Sequence, residues 1–189
     1  EAQPLGEWAM SVKGIGPVAY IIKARTTILR DLGAALSPFN AFLIIQGVET
    51  VALRMRAHSE NALAAAKFLQ GRPEVDRVIH PSTLTGVGAE RTRKYLPNGM
   101  GGLCGIELKG GMEAGKKFID ALKMFYHVAN IGDARSLAIH PASTTHSQLN
   151  QAEQAATGVS PGYVRLSIGI EHIDDILADL GQALDAASK

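Results

Sequence analysis

The sequence has little of what would place it outside ordinary globular chemistry. It holds one cysteine, Cys104, in 189 residues. An internal disulfide is therefore excluded, and a lone thiol fits a reducing compartment, so a cytoplasmic location is expected. No purely apolar run is long enough for a transmembrane helix. No basic-then-apolar leader follows Glu1, so no signal peptide is expected. The absence of an initiator Met reads as a piece of something longer. Charge of one sign is not concentrated anywhere: 19 Lys plus Arg against 18 Asp plus Glu leaves a net +1. Neither a nucleic-acid nor a membrane partner is expected from that balance. Arg91, Arg93 and Lys94 cluster, but on a predicted helix they read as a solvated face.

The strong catalytic and ligand motifs are also missing. There is no P-loop, no G-x-G-x-x-G after a strand, no paired CxxC, no H-E-x-x-H and no G-x-S-x-G. Gly14-Ile15-Gly16 and Gly86-Val87-Gly88 read as turns. His140 and His146 flank a Pro-Ala-Ser-Thr-Thr loop, but no cysteine or suitable carboxylate completes a zinc set, so no metal is expected.

What is present is an ordinary core-forming composition, 46% hydrophobic and 20% charged. A chain of this size should bury about 70% of its unfolded surface. Glu1 to Gly16 shows no periodicity and reads as an arm or connector. Pro17 opens a predicted helix to about Leu32, stopped by Gly33. Ser37-Pro38 is a cap-and-start signal for a long helix to about Gln70, with a bend or break expected at Gly47. Phe39 to Ile45 is apolar nearly all round and is expected to be buried. Strands are predicted at Val75–His80, Leu103–Leu108, Val128–Ile131, Ser136–His140 and Val164–Gly169. Helices are predicted at Ala89–Tyr95, Met112–Phe125, Gln148–Thr157 and Ile173–Ala187. Short, irregular connections favour an α+β sandwich: a small, mostly antiparallel sheet with helices on one face.

Arg165 is the most informative single residue. It lies in Val164-Arg165-Leu166-Ser167-Ile168-Gly169, an otherwise apolar strand. Alternation puts Val164, Leu166 and Ile168 on one face and Arg165 with Ser167 on the other. A guanidinium there is either a salt-bridged surface group or a fork for a ligand carboxylate. Spacing alone leaves both open. Ser136, Ser143, Thr144, Thr145 and Ser147 crowd one region, either capping turns or lining a polar pocket.

Taken together, several motifs resemble a known family. They are Arg30-Asp31-Leu32-Gly33, Ser37-Pro38-Phe39-Asn40-Ala41-Phe42, Gln46-Gly47-Val48-Glu49-Thr50 and Leu53-Arg54-Met55. Later come Ala129-Asn130-Ile131-Gly132-Asp133, Ser136-Leu137-Ala138-Ile139-His140-Pro141, Thr144-Thr145-His146-Ser147-Gln148-Leu149 and Arg165-Leu166-Ser167-Ile168-Gly169-Ile170-Glu171. The series resembles the Cys/Met-metabolism enzymes that use pyridoxal 5'-phosphate (PLP), and most of all their O-acetylhomoserine sulfhydrylase branch. It runs from about Ala19 to Leu184.

The resemblance implies the C-terminal domain of a fold-type I PLP enzyme. Residues 1–50 would end the large domain and start the connecting helix, and residues 51–189 would form the small domain. It implies PLP held mainly by residues upstream, a Schiff-base lysine upstream in a Ser-x-Thr-Lys setting, and a chain inactive alone. It implies no catalytic or cofactor-binding residue here, but three substrate-binding ones: Arg165 for the α-carboxylate, Ser136 helping to hold it, and Thr145 lining the pocket. The reaction would replace acetate by sulfide to give homocysteine, in methionine biosynthesis. The full-length protein would bind a small amino-acid substrate and form a homo-oligomer, commonly a tetramer. Arg135 stands where cystathionine-handling relatives carry a glutamate, which favours a small anionic co-substrate such as sulfide. An O-succinylhomoserine sulfhydrylase, a methionine γ-lyase, or a non-catalytic amino-acid-binding module remain the alternatives.

Overall fold

The structure, a computed structural model, describes residues 18–188. The expected arm over residues 1–16 and the start of the first helix at Pro17 lie outside these. The chain divides into two compact units between Glu49 and Thr50.

In the first unit, α1 (Ala19–Lys23) runs into a π-helical stretch (Ala24–Leu29) and then α2 (Arg30–Leu32). Gly33 stops it in the left-handed region, at φ 66°. A glycine adopts that conformation without steric cost. The next helix, α3 (Pro38–Glu49), starts as its sequence dictates: Ser37 Oγ accepts from the Asn40 N–H at 3.1 Å. The break expected at Gly47 comes at Thr50 instead: the helix continues through Gly47 and ends before Thr50, whose φ of −105° and ψ of 2° leave helical geometry. One interior glycine costs only about 1 kcal/mol against alanine, too little to end a helix by itself. The expected burial of Phe39 to Ile45 is also not met. Phe39 is 67% exposed and Ile45 55%, and no described residue of this unit is buried. A stretch apolar nearly all round has no polar face to turn to water, and the described residues of its unit supply no layer to cover it.

The second unit opens with α4 (Val51–Gln70). There follow β1 (Val75–Ile79), a 3-10 turn (Pro81–Thr83), α5 (Gly86–Tyr95), β2 (Leu103–Leu108), α6 (Gly111–Ala121), β3 (Tyr126–His127) and β4 (Leu137–Ile139). After a second 3-10 turn (Pro141–Ser143) come α7 (Gln151–Ala156), β5 (Tyr163–Ser167) and α8 (Ile173–Ala187). The strands form one sheet in the order β1-β2-β5-β4-β3. All neighbours are antiparallel except the short β3–β4 pair. The α+β architecture with a mostly antiparallel sheet is therefore present.

Three helices cover one face of the sheet. α4 presents Ala62, Ala65, Ala66 and Leu69, spaced i, i+3, i+4, i+7. α8 presents Ile176, Leu180, Ala183 and Leu184, and α6 contributes Ala114, Phe118 and Ile119. They meet Cys104, Ile106, Val164, Leu166 and Ile168 in one apolar cluster. Burial pushes the Cys104 thiol up to about 12, so it stays protonated and inert. Small alanines on α4 let that helix approach the sheet closely, while the large side chains come from α6 and α8.

Gly86-Val87-Gly88, expected as a turn, opens helix α5 instead. Two further element boundaries each differ from expectation for one reason. The helix predicted to reach Phe125 ends at Ala121. The buried Asp179 carboxylate of α8 instead accepts the N–H groups of Lys123, Met124 and Phe125, at 2.9–3.2 Å. A carboxylate that gathers three backbone donors outcompetes another half turn of helix. The strand predicted at Val128–Ile131 is a loop, and pairing falls instead on Tyr126–His127. Gly132, at φ 77°, turns that segment toward β5, where its N–H donates to Ser167 Oγ.

Asp179→Ala leaves three N–H groups without their acceptor. It should lower stability by about 3 kcal/mol, roughly 10 °C in Tm, with Asp179→Asn intermediate. Thermal unfolding of the chain followed by circular dichroism checks this; a Tm within a degree of the parent would refute the role assigned to Asp179.

Candidate functional site

The uncovered face of the sheet carries the polar residues. Along β5, Tyr163, Arg165 and Ser167 point away from the helices, while Val164 and Leu166 enter the core. This is the alternation read from the sequence. Arg165 lies opposite Gly105 of β2 on one side and Ile139 of β4 on the other. Gly105 is required by close approach: a Cβ there would meet Tyr163 Cε2 at 2.7 Å. The absent side chain lets the Tyr163 ring lie over β2 beside the guanidinium. Burial pushes the Tyr163 phenol up, a shift opposed in part by Arg165.

Arg165 is half-buried, and its Nη2 donates to the Asn130 carbonyl at 3.3 Å. Among the described residues no carboxylate pairs with it within 4.0 Å. A guanidinium has five donors, so most of this fork is free for a ligand. A groove of about 770 Å3 opens over Arg165, Tyr163, Gly105 and Ile79. A second, more apolar pocket of about 400 Å3 adjoins it, with Leu103 lining both.

The other two residues expected in the site are placed differently. Ser136 is fully buried just before β4. Its hydroxyl donates to Glu171 Oε2 at 2.9 Å and accepts from the Gly169 N–H at 2.9 Å. Its own N–H donates to Glu171 Oε1 at 2.6 Å. The hydroxyl hydrogen is thus spent inside the fold. Gly169 permits this knot, since any Cβ there would crowd Ala134 O and Ser136 N at 2.5 Å. Thr145 is exposed, its Oγ1 hydrogen-bonded to His146 Nδ1 at 2.9 Å. No hydrogen bond joins Ser136 or Thr145 to Arg165 among the described residues.

Three residues outside the expected substrate-binding set hold this region in place. Asn130 supplies the carbonyl beside Arg165. Its motif was legible, but nothing in the spacing said that this residue would touch the arginine. Glu171 ties the end of β5 to the start of β4. His140 anchors the loop that carries Thr145: its Nε2 donates to Pro161 O at 2.8 Å and its Nδ1 accepts from Ser143 Oγ at 2.8 Å. The ring packs where Gly115 of α6 leaves room, for a Cβ there would meet Nε2 at 2.5 Å. Gln154 of α7 closes the same loop by donating to Ala142 O and His146 O. The loop of Arg135 is organised too. Asp133 Oδ1 accepts the Arg135 N–H at 3.0 Å, and the guanidinium stands 4.8 Å above the Tyr126 ring.

Among the described residues no lysine lines either cavity. The arrangement can therefore grip a carboxylate and shape a pocket beside it. It offers neither an amine for a covalent adduct nor a cluster of donors for a phosphate.

The chain is similar to known proteins over most of its length. A family model described as Cys/Met metabolism PLP-dependent enzyme matches residues 14–185. An O-acetyl-L-homoserine sulfhydrylase from Leptospira meyeri is 56% identical over 88% of this chain and 38% of its own length. O-acetyl-L-homoserine sulfhydrylase 1 from Thermus thermophilus is 47% identical over 97% of this chain and 44% of its own. A Campylobacter jejuni crystal structure, of a protein assigned as an O-acetylhomoserine (thiol)-lyase and holding a pyridoxyl-lysine monophosphate, superposes with a TM-score of 0.81. It is 42% identical, over 89% of this chain and 40% of that one. The chain thus spans about two fifths of the length of the relatives it matches.

Burial holds the His140 and His80 imidazoles below the ordinary histidine range. The unfolded chain takes up these protons near pH 6.5, while the folded chain resists them. Their contribution to stability is therefore full above about pH 7 and is lost as pH falls below about 6.5. The urea midpoint should drop between about pH 7 and pH 5, and His140→Asn with His80→Asn should flatten that drop. An unchanged slope in the double variant would count against this account.

Proposed function

The chain belongs to the Cys/Met metabolism family of PLP-dependent enzymes, and we propose that it supplies the substrate-carboxylate end of the active site of an O-acetylhomoserine sulfhydrylase. The family's cofactor is PLP. The observation that carries the reading is the free fork of Arg165, half-buried on the open face of the sheet, with a backbone carbonyl as its only partner among the described residues. An α-carboxylate docked there gains paired, charge-assisted hydrogen bonds in a partly desolvated groove. Tyr163 and Gly105 fix the wall on one side, and Asn130 fixes the fork on the other.

The residues present fit the amino-acid end of the bound substrate and not the cofactor itself. Arg165 suits a carboxylate, but among the described residues no lysine or phosphate cradle accompanies it. In this reading the lysine comes from elsewhere in the full-length protein, and the chain alone is inactive. Residues 1–50 then belong to the end of the large domain and the connecting helix, and 51–189 to the small domain. When bound, the cofactor supplies the electron sink that labilises the α and β protons and releases acetate. Arg165 holds the substrate so that its Cα–H bond is oriented for that chemistry. Ser136 acts through Glu171 and Gly169 by fixing the backbone around Arg165, and Thr145 borders the same region from its loop. Arg135 over Tyr126 is a preset cation that suits an anionic co-substrate such as hydrosulfide. The full-length protein is read as a cytoplasmic homotetramer. No helix among the described residues is long and apolar enough to cross a membrane.

In the full-length holoenzyme, Arg165→Leu should raise KM for O-acetylhomoserine about a hundredfold, because charged hydrogen bonds worth about 1.5–3 kcal/mol are lost. Bound cofactor absorbance should be unaffected. A KM within twofold of the parent would reject the carboxylate role. Separately, the 189-residue chain incubated with PLP and borohydride should yield no stoichiometric lysine adduct by mass spectrometry. A single-site adduct would place a Schiff-base lysine within it and reject that part of the reading.

A further inference from the structure

The loop of residues 96–102, between α5 and β2, plays no part in gripping the carboxylate and carries a reactive pair, Asn98-Gly99. Pro97 and Asn98 make its turn, and Asn98 and Gly99 are both exposed. Gly99 sits at φ 151°, which L side chains rarely adopt, and a Cβ there would meet Ser59 Oγ at 2.8 Å. The fold therefore requires glycine directly after Asn98. Without a side chain, the Gly99 nitrogen has no screen of its own against the Asn98 amide. Among the described residues, no hydrogen bond of normal geometry engages the Asn98 side chain or the Gly99 N–H.

The chain holds four other asparagines, and each is restrained. Asn40 and Asn61 lie inside α3 and α4. The N–H after Asn40 donates to Ser37 O at 2.9 Å, and Asn61 Nδ2 donates to the Gly169 and Glu171 carbonyls. Asn130 is followed by β-branched Ile131, whose N–H its own Oδ1 accepts at 2.9 Å. Asn150 Oδ1 accepts the Glu153 N–H as the cap of α7.

We propose that Asn98 is a site of spontaneous deamidation to isoaspartate, the thermolabile point of this domain. The Gly99 nitrogen attacks Asn98 Cγ. A new C–N bond closes a succinimide ring as the bond to the side-chain nitrogen breaks, and that nitrogen leaves as ammonia with the proton given up by Gly99. Water then opens the ring. Opening at Cγ gives aspartate. Opening at the main-chain carbonyl gives isoaspartate, whose main chain runs through Cβ and is one carbon longer.

The loop has little slack for that carbon. The Gly101 N–H donates to Ser59 Oγ at 3.2 Å, and Met100, Gly101 and Gly102 line the apolar pocket with His58 and Ser167. The new carboxylate lands in a cleft bordered by both Glu60 and Arg56, so its charge meets one like and one opposite neighbour. The added length, rather than the charge, is what displaces the loop.

The test ages the full-length holoenzyme in mildly alkaline buffer and maps its peptides by mass spectrometry, with enzymatic methylation of isoaspartyl carboxylates as a second readout. The peptide holding Asn98 should convert within about tenfold of its rate in the urea-unfolded chain, a barrier difference below about 1.4 kcal/mol. Asn40, Asn61, Asn130 and Asn150 should stay amides, and Asn98→Ser should remove the methylation signal from its peptide. Slower conversion of Asn98 than this, or faster conversion at any of the other four, overturns the site. The aged parent should lose Tm against aged Asn98→Ser, while fresh Asn98→Asp keeps the parent Tm. Full conversion with no loss of Tm would overturn the effect on the loop. None of these readouts involves Arg165, so the carboxylate reading stands or falls separately.

Discussion

Everything at this site depends on one strand having two environments. β5 sends Val164 and Leu166 into the apolar cluster under α4, α6 and α8, and sends Arg165 and Ser167 to the open face. The period of two along a strand makes these assignments inseparable. A one-residue slip would bury a guanidinium and expose the core. The helix side therefore does more than stabilise the domain. Its burial of Leu166, Val164 and Ile168 fixes the register that presents the arginine.

The open face is held still by polar knots at its margins. Glu171 and Gly169 clasp Ser136, Asn130 meets Arg165, and Gly132 reaches Ser167. Each bond ties the loop between β3 and β4 to the far end of β5. The guanidinium thus sits in a frame set by backbone groups, which loses less freedom on binding than a surface arginine would. The neutral His140 does the same for the next loop, using both ring nitrogens.

Much of this was legible from residue order, and the remainder was not for physical reasons. The opposition of Arg165 and Val164 follows from alternation alone, and the stripe on α8 from its 3.6 period. The early end of α6 could not be read locally, because Asp179 lies more than 50 positions away. The loop at Val128–Ile131 has strand-like composition, and only the turn at Gly132 and its tertiary partner decide against pairing. Ser136 looked like a ligand residue by resemblance. Its hydroxyl is committed to Glu171, a partner 35 positions distant that no spacing rule connects to it. Phe39 to Ile45 shows the converse: the apolar pattern was plain, but pattern does not say where the covering surface comes from.

Cys104 closes the account from the core side. Its thiol is sealed between β2 and the helices and held at a pKa of about 12. The thiolate forms appreciably only when water reaches it, which requires the central strands to separate from their helices. The lone thiol is thus a chemical clock for opening of the sheet, silent while Arg165 is properly presented and reactive once the register that presents it is lost.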